Sequence, residues 1–228
     1  MNTFPGFPPA TIEFLADLTL NNHREWFTAH KKQFEQVVQN PALDFIAAMG
    51  PVFERIAPHY EAIPKKVGGS LLRIYRDTRF SKDKTPYKTN VGIHMQHRDH
   101  RDIHAPGYYL HLAPDGCFLG VGIWHPEAEP LAQIRAAIAE QPQAWIAARD
   151  ALTGSGWQME GDSLKRPPKG FAADHPLIED LKRKDFLGLY PLRFEEVTQP
   201  DFVAQVETRY AQGDSLMRFL CAALELRF

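Results

Sequence analysis

Apolar residues recur at helical spacing through the first third of the chain. Ile12, Leu15 and Leu18 lie three apart behind Pro8-Pro9, and Asn21-Asn22 ends that run. Asn22 stands three residues before Glu25, a variant of the capping box, which predicts Asn22 as the N-cap of a second helix. Trp26, Phe27, His30, Phe34, Val37 and Val38 give this helix one apolar face. Asn40-Pro41 predicts a third start, because proline at the first helical position lacks a donor not needed there. Leu43, Ile46, Met49, Phe53 and Ile56 form its stripe, and Gly50-Pro51 predicts a kink or a split.

The period changes in the middle third. Gly68-Gly69 breaks the chain, and Leu71 to Arg76 reads as extended. Val91, Ile93 and Met95 alternate with Gly92, His94 and Gln96, the period of a half-buried strand. Tyr108, Leu110 and Leu112 alternate with Tyr109 and His111. Pro114-Asp115-Gly116 supplies a turn, and Cys117 to Trp124 returns, so residues 107–124 predict a β-hairpin. Gly120 and Gly122 share one face of the return strand, where missing side chains leave a groove or admit a close neighbour.

Helical spacing resumes with Leu131, Ile134, Ile138, Trp145 and Ile146, as one helix or as two divided near Pro142. Phe186 to Phe194 reads as a short strand. Phe202, Val203, Val206 and Tyr210 mark a helix that Gly213-Asp214 interrupts. Asp214 then caps a final helix with Leu216, Phe219, Leu220 and Leu224 inward. Helices flanking adjacent strands predict one α+β domain over residues 1–228, with a mainly antiparallel sheet from the middle third packed against N-terminal and C-terminal helices. A parallel βαβ sheet is the rival. It is disfavoured because turns and short loops join consecutive strands.

Composition narrows the class. The chain has 228 residues, 44% hydrophobic and 24% charged, values of a globular protein rather than a disordered or fibrous one. The net charge of −2 excludes a wholesale basic footprint for nucleic acid, though not a local patch. Two cysteines, Cys117 and Cys221, sit in apolar runs far apart and read as buried hydrophobes. The opening residues lack a basic region followed by an apolar run. No stretch approaches the roughly 18 apolar residues of a membrane helix. The expectation is a cytoplasmic protein with no membrane partner.

Charge is distributed unevenly. Residues 65–90 hold eight basic residues (Lys65, Lys66, Arg73, Arg76, Arg79, Lys82, Lys84 and Lys88) against Asp77 and Asp83, a net of +6. Arginine forks fit pairs of phosphate or carboxylate oxygens, and lysine adds a point charge. Tyr75 and Tyr87 add stacking surface. Arg73, Arg76, Arg79, Lys84 and Tyr87 are therefore the candidate ligand-binding residues. The opposing reading is an internal lattice, in which Asp77 and Asp83 accept from Arg76, Arg79 or Lys84 and the segment is a clasp. Asp77 and Asp83 are also catalytic candidates, as proton acceptors or as ligands of Mg²⁺ beside a phosphate, but an orienting role is favoured. Phe80 is expected to anchor the loop in the core.

Histidines form a second cluster. His94, His97, His100 and His104 fall within eleven residues, interleaved with Asp99 and Asp102; His111 and His125 follow on the hairpin. The spacing fits no standard metal motif and HExxH is absent, so no metal is expected. If one were held, His94, His104, His111 and His125 would be the better ligands. His104 or His111 as a general base rests only on the near-neutral pKa of histidine. GxSxG, a P-loop and a strand-linked GxGxxG are absent, and no cofactor is implied. The basic runs Lys165-Arg166-Lys169 and Lys182-Arg183-Lys184 read as solvated surface.

The stretch RIYRDTRFSKDKTPYKTNVGIH resembles the hallmark of a family of uncharacterised bacterial proteins, domain of unknown function 2461. That pattern falls on Arg73, Arg76, Asp77, Arg79, Phe80, Asp83, Lys84 and Tyr87. FLADLTLNNHREWFTAHK, PGYYLHLAPDGCFLGVGIWHPE and LKRPPKGFAADHPLIEDLKRKDF resemble the same family, so the likeness covers nearly the whole chain. It implies one domain and a bacterial cytoplasmic setting, and no activity.

Three functions follow from the residues. The first is a binding module or enzyme for a phosphorylated or otherwise anionic small molecule, held by the 73–88 segment. The second is a non-enzymatic module whose basic segment is an ion-pair clasp and whose partner is another protein. The third is a binder of the nucleic-acid backbone.

Overall fold

The structure is a computed structural model and describes residues 4–99 and 105–228. Helices α1 (Pro9–Leu20), α2 (Arg24–Phe34) and α3 (Asn40–Ile56) open the chain. Strands β1 (Tyr60–Glu61), β2 (Val91–His97), β3 (Gly107–Ala113) and β4 (Gly116–Ile123) follow. Then come α4 (Ala128–Glu140), α5 (Pro142–Gly154), β5 (Gln158–Glu160), α6 (Ile178–Leu181), β6 (Phe186–Leu192), α7 (Phe194–Val197), α8 (Phe202–Gln212) and α9 (Asp214–Ala223). The strands form one sheet in the order β1-β2-β3-β4-β6-β5, and every pairing is antiparallel. The fold is α+β, as the strand–turn–strand pattern predicts, and the last third contributes two further strands to the sheet.

Alternation fixes which side chains meet the helices. Tyr108 packs edge-on against Phe53 of α3 and Tyr210 of α8, at centroid distances of 5.0 and 4.9 Å. Trp145 of α5 packs against Phe186 of β6 at 5.6 Å. Tyr210 also donates a hydrogen bond of 2.9 Å to the Tyr109 carbonyl, which ties α8 to β3. Cys117 and Cys221 are free and buried, as read from their apolar runs.

The structure refines the local reading at four places. The second helix is capped by His23, whose ring accepts from the Trp26 N–H, whereas Asn22 turns away to a distant partner. Helix α3 continues through Gly50-Pro51 without splitting. Pro51 and Ala47 are both exposed, so the carbonyl left without its helical donor lies on the solvent side rather than in the core. Asp214 is the first residue of α9 and makes no capping bond; its carboxylate accepts from Arg218 one turn on. Residues 71–76 form isolated bridges, Leu71 with Ile93 and Tyr75 with Tyr87, instead of a strand.

One proline has a compensating partner. Pro41 has no N–H to offer the Val37 carbonyl, and the chain between α2 and α3 passes through a π-turn at Glu35–Gln39. The fully buried hydroxyl of Thr11 donates to that carbonyl at 2.6 Å. This bond staples α1 to the irregular turn.

Candidate functional site

The basic segment folds as an irregular hairpin standing on the sheet. Arg76 N–H donates to the Pro86 carbonyl at 2.9 Å, and Lys88 N–H donates to the Ile74 carbonyl at 2.7 Å. Its base is held by Asn22. The Asn22 amide donates to the Tyr87 carbonyl at 2.9 Å and accepts from the Tyr87 N–H at 3.1 Å, so one side chain imitates a β-bridge. The buried ring of Tyr87 stacks on Phe27 of α2 at 4.1 Å. Tyr87 is thus an internal anchor of the stem.

Most of the tip cations are engaged within the tip. Arg79 binds both carboxylate oxygens of Asp77, with Nε–Oδ1 at 2.9 Å and Nη2–Oδ2 at 2.6 Å. Arg76 Nη1 donates to Asp83 and, at 2.6 Å, to the Thr85 hydroxyl. Lys84 Nζ donates to the Thr78 carbonyl at 2.8 Å. The Arg79 side chain and backbone donors hold the Asp77 carboxyl well below the usual range. The Thr85 backbone N–H, helped by Arg76, lowers Asp83 to about 2. Both catalytic candidates are therefore fixed anions that accept from their own loop. Phe80, expected in the core, is 94% exposed at the tip beside the Arg79 guanidinium. Adjacent charged residues on a tight tip leave no route for its ring to reach the sheet.

Arg73 behaves differently. It makes no hydrogen bond or ion pair among the described residues, and it lines a groove of about 440 Å³ between α2 and residues 66–75. Phe27, Phe34, Val38, Leu71, Ile74 and Val91 form the apolar floor. Lys31 and Lys66 join Arg73 on the rim, and among the described residues Glu35 is the one acidic side chain in the lining. Half-buried Lys88 nearby has its pKa lowered, first by burial and then by the charge of Arg73. A smaller recess of the segment, about 420 Å³, lies between Lys84, Thr85 and the start of α2 at His23–Glu25.

A third cavity, about 370 Å³, opens on the sheet face opposite Tyr108. Gly120 and Gly122 form part of its floor, the groove their spacing suggests. Gly122 has φ of +119° and its Cα lies against the Phe186 carbonyl, so no side chain fits there. His94, Tyr109, Phe118, Trp124, Leu187 and Leu189 make its walls. Burial raises the Tyr109 phenol to about 12 and lowers the His111 imidazole. The Tyr109 hydroxyl and His111 Nδ1 lie 3.2 Å apart, and His111 stacks on Phe118 at 4.6 Å. Sequence reading marked the two glycines but missed Tyr109, whose placement depends on pairing with Gly120 across the hairpin.

Among the described residues, His94, His111 and His125 form no group of three metal-ligating side chains. His94 and His111 share this sheet face, with His94 opposite Tyr109 and His111 opposite Gly92. His125 lies beyond the end of β4, where its backbone N–H donates to the buried Asp185 at 2.6 Å and its Nδ1 lies 3.2 Å from the same oxygen. His104, as ligand or as general base, lies outside the described residues. The basic run at 182–184 is at the β5–β6 side of the sheet, paired with Glu179, Asp180 and Asp162, remote in strand order from the β2 side where residues 71–88 dock. No helix among the described residues is long and apolar enough to cross a membrane.

No curated protein and no solved structure matches the chain. A family model does, over residues 10–219, which include the hairpin, the groove and the sheet-face cavity. The chain belongs to that family, described as conserved hypothetical protein (DUF2461).

Proposed function

We propose that this chain binds a small anionic molecule with an apolar body in the groove between α2 and residues 66–75. The observation that carries this reading is the rim: Arg73, Lys31 and Lys66 surround an apolar floor, with Glu35 as the one acid among the described lining residues. An anion there would relieve the repulsion between Arg73 and Lys88, and the floor would take the ligand's apolar part. The remaining motif residues support the site from behind. Arg76, Arg79 and Lys84 hold the tip closed, and Asn22 and Tyr87 fix the stem against α2. This joins two of the sequence-based readings: one part of the segment is a clasp and the other offers its charge.

A thermal-shift panel of phosphates, sugar phosphates, nucleotides and medium-chain carboxylates tests it. A ligand at about 100 times its dissociation constant stabilises the fold by about 2.7 kcal/mol. Arg73→Ala should lose the shift and Arg76→Ala should keep most of it. Equal shifts in wild type and Arg73→Ala would sink the proposal. A response only to polynucleotides, falling steeply with salt, would move the ligand to the nucleic-acid backbone.

A further inference from the structure

The first turn after β2 brings three ligating side chains together at the β1 edge of the sheet. Tyr60 pairs with His97, and the ladder continues as Arg98 N–H donates to the His59 carbonyl at 2.8 Å. Arg98 also reaches the Pro58 carbonyl at 2.6 Å, which holds the two segments in register. His59 and His97 then lie as nearly parallel rings, 5.9 Å between centroids and 12° apart. One ligand atom from each of His59, His97 and Asp99 lies within 4.8 Å of the other two. Tetrahedral ligands about 2.0–2.2 Å from a common ion lie about 3.3–3.6 Å apart, so a small side-chain adjustment would close this set around a metal.

Two neighbours fix the state of His97. Its Nε2 lies 2.7 Å from the Arg227 carbonyl, which can only accept, so Nε2 carries the proton. Its Nδ1 takes the Asp99 backbone N–H at 3.2 Å, so Nδ1 holds a lone pair. A ring nitrogen donating to a backbone carbonyl while the other offers its lone pair is the arrangement of a metal-bound histidine. His97 is fully buried. His59 Nδ1 is buried as well and finds no hydrogen-bond partner among the described residues, an omission that costs stability unless something fills it. Asp99 is exposed and brings the negative charge.

We propose that His59, His97 and Asp99 form a binding site for a divalent transition metal of the zinc class. Two imidazoles and one carboxylate suit zinc, cobalt, nickel or ferrous iron better than magnesium or calcium. The metal replaces the long Asp99 N–H contact on His97 Nδ1 and satisfies His59 Nδ1. Three protein ligands leave one tetrahedral position open to water or another ligand. His97 and Asp99 belong to the cluster that sequence spacing marks, His59 lies outside it, and the site is separate from the anion groove.

The test is titration of the untagged full chain with Zn²⁺ by calorimetry and with Co²⁺ by visible absorption. One equivalent should bind, with the d–d bands of a low-coordinate cobalt centre. His59→Ala and Asp99→Asn should each weaken binding by about 10-fold or more. Both positions are at least partly exposed, so the variants should fold, which far-UV circular dichroism checks. Failure of the wild type to bind either ion at micromolar concentration overturns the proposal. So does one-equivalent binding that both variants retain unchanged.

Discussion

The two ends of the basic segment carry the same kind of charge and use it differently. At the tip, Arg76 and Arg79 each meet a carboxylate of their own loop, and Lys84 meets a backbone carbonyl. At the stem, Arg73 faces a groove beside Lys31 and Lys66. The difference comes from spacing. Asp77 is two residues from Arg79, and the turn brings Asp83 back to Arg76. Arg73 precedes the acids and lies on the side of the stem facing α2. A cation-rich stretch is therefore not a binding surface throughout; the position of its few acids decides which part remains available.

The contrast can be broken at its anchor first. Phe27→Ala removes a buried ring beneath Tyr87 and should lower stability by about 3–5 kcal/mol in urea unfolding. A loss below about 1 kcal/mol would show that the stack does not hold the stem. Asn22→Ala removes both bonds to the Tyr87 backbone and should cost about 1–3 kcal/mol by the same measurement. An N-cap role would be served equally by serine or aspartate. Asn22→Asp and Asn22→Ser should not restore stability, because aspartate lacks the donor and the single short hydroxyl of serine does not span both Tyr87 backbone groups.

The tip should matter less. Arg76→Ala breaks an ion pair whose partners are partly exposed, and about 0–1 kcal/mol is expected. Its signature is in the pH profile. The Asp83 carboxyl sits at about 2 in the fold against an ordinary 3.8. The lowered value means that its stabilising effect is complete above 3.8 and disappears as pH falls towards 2. Arg76→Ala should shrink this acid-side loss without abolishing it, since the Thr85 N–H contributes more than Arg76 does. Unfolding midpoints between pH 5 and 2 would show an unchanged slope if the pair were irrelevant. Arg73→Ala should have the smallest effect on stability, within about 0.5 kcal/mol, while removing the anion-dependent thermal shift. A large destabilisation there would mark Arg73 as structural and erase the distinction between stem and tip.

The open sheet face offers a further check on pH. Burial lowers the His111 pKa, so protonation is disfavoured in the fold. Stability should fall as pH drops below 6.5 towards the lowered folded value, because the unfolded chain binds the proton more readily. His111→Phe should flatten that limb in thermal unfolding between pH 8 and 5. An unaltered limb would assign it to other histidines.

Periodicity determined the longer helices, the β3–β4 hairpin and the glycine-floored groove, since each rests on contacts within a few residues of chain or on strict alternation. Chemistry by residue type marked the basic segment and the turn residues, and family resemblance reached as far as membership. Tertiary structure alone decided the rest. Asn22 left its capping role for a partner 65 residues away, Phe80 stayed in solvent, and His59 met His97 across the sheet edge. These outcomes depend on through-space distances set by sheet order and helix packing. Local pattern carries no information about them, because a short polar side chain bonds whichever group the fold brings within about 3 Å.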